Sequence, residues 1–122
     1  MRISPAESLV MEALWRREPL SAEEITAEIA EGQGWSEATV KTLINRLFRK
    51  KAISAARDGR RYLYRPMVSR ADYVGAESQG LLDRLFEGRL APLVSHFSKT
   101  QKLSDEDVAE LKRLIAEIDD GK

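Results

Sequence analysis

The chain has 122 residues, with 20 Lys or Arg, 20 Asp or Glu and no cysteine. Without cysteine it has no disulfide, thiolate metal site or cysteine nucleophile, and its length suits either one compact domain or a small domain with an appended oligomerisation segment. No apolar run approaches the roughly 18 residues of a membrane span and no secretory signal is visible, so we expect no membrane insertion and a cytoplasmic location.

The zero net charge conceals a strongly basic centre. Residues 36–65 carry nine Lys or Arg against two acidic residues, a net charge of +7, whereas residues 1–35 and 66–122 carry −4 and −3. A duplex polyanion attracts such a segment because binding releases counterions from its phosphates. The charge pattern therefore indicates a DNA-binding segment in the middle of the chain.

Two capped helices are predicted before this segment. The string SPAE at residues 4–7 is a capping box with proline at the first helical position, and it starts the first helix. Glu18-Pro19 ends this helix. The string SAEE at residues 21–24 is a second capping box, with Leu20 and Ile25 as a hydrophobic staple. Its helix runs to about Glu31, before a glycine-containing turn.

A third helix, capped by Ser36, is predicted to recognise DNA. Its apolar positions recur at helical spacing and form one stripe that faces the core: Val40, Leu43, Ile44 and Leu47. The opposite face and its flanks carry side chains that can bond a base edge or a phosphate. The predicted DNA-binding residues of this helix are Thr39, Lys41, Thr42, Asn45, Arg46 and Arg49. The competing interpretation is an ordinary solvated helix face.

A basic hairpin follows and is predicted to be a wing. Its strands are expected over residues 53–57 and 60–65, joined by the two-residue turn Asp58-Gly59 and ended by Pro66. We expect Arg60 and Arg61 to contact phosphate or the minor groove. Charged residues at a hairpin tip also keep a sheet edge soluble, which is the alternative.

Three amphipathic helices are predicted after the wing, the first from Arg70 to Glu87 and the last from residue 105. Alone they bury too little to be stable, so a second copy of the chain is the economical partner. The expected dimerisation residues are Leu81, Leu85, Leu93, Phe97, Leu111, Ile115 and Ile118. The expected domains are therefore a winged helix-turn-helix over residues 1–68 and a helical dimerisation domain over 69–122.

Four strings resemble the penicillinase repressor family, also called BlaI/MecI/CopY. They are ISPAESLVMEALW at residues 3–15, WSEATVKTLINRLFRKKAI at 35–53, GRRYLYRP at 59–66, and LVSHF with LSDEDVAELKRLI between 93 and 115. The resemblance implies a homodimeric winged-helix repressor, which binds inverted-repeat operators with TACA/TGTA-like half-sites and controls antibiotic-resistance or copper-handling genes.

Two departures from this family bear on induction. Its copper-sensing branch uses a C-terminal cysteine cluster, and this chain has no cysteine, so Cu(I) sensing of that type is excluded. Its β-lactam branch is inactivated by cleavage of an Asn-Phe bond, and the matching dipeptide here is His96-Phe97. The resemblance thus makes this bond the candidate cleavage site and a membrane metallopeptidase sensor a candidate partner. A small-molecule effector is the alternative.

The expected fold is mostly α-helical with a small β-hairpin wing. No nucleophile–base pair, cofactor loop or metal cluster is visible, so we expect neither an enzyme nor a cofactor or metal. The lone histidine, His96, is expected to be partly exposed on a helix, and the acidic run at 105–107 suits a helix N-terminus. A winged-helix protein-interaction module is the alternative function, although it does not require the surplus positive charge of residues 36–65.

Overall fold

The computed structural model of the chain describes residues 2–100 and 102–121. It contains two compact units, Met1–Gly75 and Ala76–Lys122. The elements, in chain order, are α1 (Pro5–Arg16), β1 (Leu20–Ser21), α2 (Ala22–Gln33), α3 (Glu37–Arg49), β2 (Ile53–Asp58), β3 (Arg61–Pro66), α4 (Arg70–Leu85), α5 (Leu90–Lys99) and α6 (Asp105–Asp120). The mostly helical fold with a small antiparallel sheet confirms the predicted class.

Serine side chains fix the helix starts in the way that the sequence predicts. Ser4 and Ser21 each accept a hydrogen bond from the third helical backbone N–H, and the glutamate at that position bonds back to the serine N–H. Ser36 caps α3 and Ser104 caps α6 through the same serine contact. The starts of these helices are therefore fixed by contacts within three residues of the cap.

The sheet has one strand more than the predicted hairpin. Its order is β1-β3-β2, all antiparallel, and Leu20 pairs with Tyr64. The sequence analysis assigned Leu20 only to a hydrophobic staple, because a two-residue strand carries no periodicity. This extra strand ties the start of α2 to the wing.

The wing turn lies one residue later than predicted. Asp58 pairs with Arg61, so the two loop residues are Gly59 and Arg60 rather than Asp58 and Gly59. Gly59 has φ +64, and a type II′ turn places glycine at this first loop position because it alone adopts positive φ without strain. Arg60 is thereby placed at the tip of the wing.

Unit 1 has a continuous apolar core built from α1, α2, α3 and the start of β2. Its buried apolar residues are Ile3, Val10, Met11, Ala13, Leu14, Leu20, Ile25, Ile29, Val40, Leu43, Ile44, Leu47, Ala52 and Ile53. Trp15 and Trp35 pack against it, and the indole N–H of Trp15 donates to the Val68 carbonyl at 2.9 Å. This core holds α3 with its apolar face inward.

The described residues of unit 2 form no comparable interior. None of the residues between 76 and 121 that the structure describes is buried. The first helix after the wing ends at Leu85, two residues before the predicted Glu87, because Glu87 has φ +54 and Gly88 has φ +76. Left-handed residues cannot continue a right-handed helix.

Candidate nucleic-acid interface

Helix α3 presents one polar face to solvent. The four apolar residues of the predicted stripe are buried, and all six predicted DNA-binding residues of this helix are exposed. The structure therefore gives the predicted orientation of the helix, while contact of these six residues with DNA stays a prediction.

Local contacts hold two of these polar side chains in defined positions. The Thr42 hydroxyl donates to the Ala38 carbonyl at 3.1 Å, which leaves its oxygen lone pairs available. The Lys41 ammonium lies 3.6 Å from a carboxylate oxygen of Glu37, one helical turn earlier, and both side chains are exposed to solvent. Such an exposed pair is weak, so Lys41 can exchange it for a phosphate.

A basic cleft lies between α3, the start of α2 and the wing. It has a volume of about 250 Å³, and its lining includes Lys41 on α3 and Arg60 and Arg61 on the wing. The structure therefore brings the predicted helix and wing residues to the same surface. Glu23 and Glu37 also line the cleft and reduce its net positive charge.

The two wing arginines are not equivalent. The Arg61 guanidinium lies 3.3 Å from Asp58 and 3.8 Å from Glu24. The Ser21 backbone N–H, and then the Ser21 hydroxyl, lower the pKa of Glu24, so that carboxylate keeps its charge at neutral pH. Arg60 makes no ion pair within the described part of the chain, which leaves it the freer of the two for a phosphate.

Lys50 contributes to the charge of the basic segment but is engaged within the fold. Its ammonium donates to the Glu7 carboxylate and, at 2.8 Å, to the Arg2 carbonyl. Burial raises the pKa of Glu7, but the Lys50 hydrogen bond and charge, together with the Ser4 hydrogen bonds, outweigh burial and lower that pKa. Lys50 therefore joins α3 to α1, a contact across 43 residues that no local pattern predicts.

An aromatic cleft of about 240 Å³ lies beside the basic one. It is lined by Asn45, Phe48, Ala55, Tyr62 and Tyr64. Phe48 is 51% exposed and Tyr62 is 46% exposed. The sequence analysis assigned no function to either ring. Phe48 lies four residues after Ile44 and so continues the spacing of the apolar stripe of α3, which is why its exposure could not be predicted from the sequence.

The predicted dimerisation residues lie on the helices of unit 2. Leu81, Leu85, Phe97, Ile115 and Ile118 are exposed, and Leu93 and Leu111 are half-buried. Leu93, Phe97 and Leu111 line one groove of about 290 Å³ between α5 and α6. An apolar surface of this kind is typical of an interaction site.

The candidate cleavage site lies within α5. His96 and Phe97 are both exposed, and their ring centroids are 5.4 Å apart in an edge-to-face arrangement. The partly exposed helical histidine agrees with expectation. Since the bond between them is inside a hydrogen-bonded helix, a protease reaches it only when α5 opens.

Three further findings concern residues 2–100 and 102–121. Within these ranges no group of three or more histidines and carboxylates could hold a metal ion. Nor is any helix there long and apolar enough to cross a bilayer. The acidic residues 105–107 form the first turn of α6, as expected.

Comparison with known proteins identifies the family. The family model described as "Penicillinase repressor" matches residues 3–117. This chain belongs to the penicillinase repressor family. It is 31% identical to the penicillinase repressor of Bacillus licheniformis over 95% of this chain and 91% of that protein. It is also 31% identical to the methicillin resistance regulatory protein MecI of Staphylococcus aureus strain N315, over 93% of this chain and 92% of that protein.

Solved structures of this family resemble unit 1. The DNA-binding domain of the repressor BlaI superposes with a TM-score of 0.54 at 32% identity, covering 59% of this chain and 88% of that one. Bacillus licheniformis BlaI in complex with the blaP half-operator gives a TM-score of 0.53 at 32% identity, covering 60% of this chain and 89% of that one. The family is one of transcriptional repressors, which are not enzymes.

Proposed function

We propose that this chain represses transcription by binding a duplex operator through the exposed face of α3 and the wing. The observation that carries the proposal is the basic cleft, where Lys41 of α3 meets Arg60 and Arg61 of the wing. The similarity of unit 1 to BlaI bound to a half-operator supports the same surface.

We place α3 in the major groove. Thr42, Asn45 and Arg49 lie nearest the groove floor, where asparagine can pair two-pronged with adenine and arginine with guanine. Lys41 and Arg46 are directed to phosphates, together with Thr39 near the start of the helix. Phosphate contacts position the protein, and base contacts give sequence preference.

The wing holds the neighbouring sugar-phosphate backbone or enters the minor groove. Arg60 is the stronger contact because it has no ion pair among the described residues, whereas Arg61 must exchange its contacts with Asp58 and Glu24. Replacement of Arg61 is therefore expected to weaken binding less than replacement of Arg60.

Operator binding requires two copies in this proposal. The apolar side chains of unit 2 are left exposed in a single chain, and a second copy is the partner that covers them symmetrically. A homodimer presents two recognition helices to successive major grooves roughly 34 Å apart, so the operator is an inverted repeat.

Release from the operator is proposed to follow separation of the winged helices from the dimerisation helices. Two linked half-site contacts bind at high effective concentration, so separation removes most occupancy. Cleavage between His96 and Phe97 by a membrane metallopeptidase sensor is the specific route that the family resemblance supports. Fragment mass spectrometry of the chain from its host under cell-wall stress tests it. Loss of repression with the chain intact would favour a small-molecule effector.

A salt titration of DNA affinity tests the proposed function. A protein that contacts 6–10 phosphates loses about 10³–10⁵ in affinity between 50 and 200 mM salt. We expect a steep loss for the wild-type chain and a shallower slope for Arg60→Ala. Arg113→Ala, on α6, is the matched control and should retain the wild-type slope. A protein-interaction module that does not use this surface for DNA would bind no duplex measurably, even at 50 mM salt.

A further inference from the structure

The aromatic cleft is lined mainly by aromatic side chains, at a surface otherwise rich in cations. None of its five lining residues is charged. Phe48 and Tyr62 nevertheless expose about half of their surface, 51% and 46%. Large exposed aromatic side chains that share one cleft favour a contact with a partner.

The cleft is formed between α3 and the two strands of the wing. Phe48 follows the buried Leu47 on α3, and Tyr62 lies on β3 with the Arg57 guanidinium 5.8 Å from its ring centroid. The volume of about 240 Å³ is below the roughly 300–1,000 Å³ of pockets that enclose drug-sized ligands. The cleft is therefore better matched to the edge of a base than to a small-molecule effector.

The position of Asn45 indicates which base. Asn45 lines the same cleft one helical turn before Phe48. In the major groove an A·T pair presents the adenine N7 and N6 groups, which asparagine reads, and the thymine C5 methyl group, which apolar side chains read. Arg46, Arg49 and Arg57 lie on the elements that form the cleft, so a polyanion is favoured over an acidic protein.

We propose that Phe48, with Tyr62 beside it, packs on the C5 methyl group of an operator thymine and so adds to sequence discrimination. This inference rests on the proposed function, because it assumes that α3 lies in the major groove. Phe48 thus makes an apolar contact with a base, next to the base that Asn45 contacts by hydrogen bonds.

Replacement of thymine by deoxyuridine tests the contact directly. Deoxyuridine keeps the base pair and lacks only the methyl group. The full-length chain first selects its preferred duplex from a random pool, and each thymine is then replaced singly. At one position in a half-site, replacement of thymine by deoxyuridine should weaken wild-type binding about fourfold. This is the equivalent of one buried methyl group.

Variants show whether Phe48 is the group responsible. Phe48→Ala should reduce the uracil-to-thymine ratio of Kd values at that position to about one. Met67→Ala is the control, since Met67 is 63% exposed and lies outside the cleft lining, and it should keep the fourfold ratio. Circular dichroism checks that Phe48→Ala is folded, which its exposed position favours.

Two results would overturn the inference while operator binding stands. One is a wild-type ratio of about one at every thymine; if Phe48→Ala then weakens thymine and uracil duplexes equally, Phe48 contacts deoxyribose rather than the methyl group. The other is a fourfold ratio that Phe48→Ala retains. Failure of the wild-type chain to select any sequence would instead contradict the proposed function.

Discussion

The Lys50 ammonium at the C-terminal end of α3 donates a hydrogen bond to the buried carboxylate of Glu7 in the first turn of α1. The same carboxylate accepts from the Ser4 backbone N–H at 2.8 Å, so one side chain both caps α1 and anchors α3. A buried carboxylate is tolerated only when it is paired and hydrogen-bonded. This contact thus helps to fix the recognition helix relative to the helix behind it.

Removal of Lys50 should destabilise unit 1. Lys50→Met leaves Glu7 buried without a cation, and we expect the free energy of unfolding to fall by about 1–3 kcal/mol, since Lys50 is partly exposed and its charge is screened. Denaturant unfolding measures this. Lys51→Met is the control, because Lys51 is exposed and makes no ion pair within the described residues. Equal effects of the two variants would show that the Glu7 contact contributes little.

Glu7 should also make stability depend on pH. Its pKa in the folded chain lies below the ordinary value of 4.5, so the folded state binds this proton less tightly than the unfolded state. The stabilisation is complete above about pH 5 and is lost as pH falls through the lowered pKa. Glu7→Gln cannot titrate, so its unfolding free energy should decline less steeply below pH 4.5. Parallel pH curves for the two proteins would contradict this.

Much of unit 1 could be predicted because its determinants are local. Capping boxes at Ser4 and Ser21 and the apolar stripe of α3 are legible within four to eight residues, and each is confirmed. The family resemblance is likewise confirmed by the match over residues 3–117.

The remaining features depend on which distant residues meet. The strand Leu20–Ser21 exists because β3 lies beside it. The partners of Lys50 and Arg61, Glu7 and Glu24, are 43 and 37 positions away along the chain. The count of basic residues therefore overstated the charge available to DNA. No sequence pattern distinguishes an arginine paired within the fold from a free one.

Asn45 and Lys41 should affect DNA binding in different ways. Asn45→Ala removes a base contact, so discrimination at one adenine should fall by about 1–3 kcal/mol. Lys41→Ala removes a phosphate contact and should weaken all duplexes alike. Affinities for a set of single-base operator variants measure both effects. An unchanged base preference in Asn45→Ala would show that our orientation of α3 is wrong.

The homodimer proposal predicts the effect of a charge in the groove of unit 2. Leu111 is half-buried beside Leu93 and Phe97. Leu111→Asp would bury an unpaired carboxylate on dimerisation and should give a monomer. Lys112→Asp, on the exposed side of α6, is the matched control and should remain dimeric. Analytical ultracentrifugation distinguishes the two states, and a stable wild-type monomer at micromolar concentration would contradict the proposal.

Selection of randomised duplex DNA by the full-length wild-type chain tests the central claim most directly. If α3 and the wing read an operator as a symmetric pair, the selected duplexes should contain two inverted half-sites with their centres about one helical turn, or a multiple of it, apart. Selected pools without an enriched sequence, or with a single asymmetric site, would contradict operator recognition by a dimeric repressor.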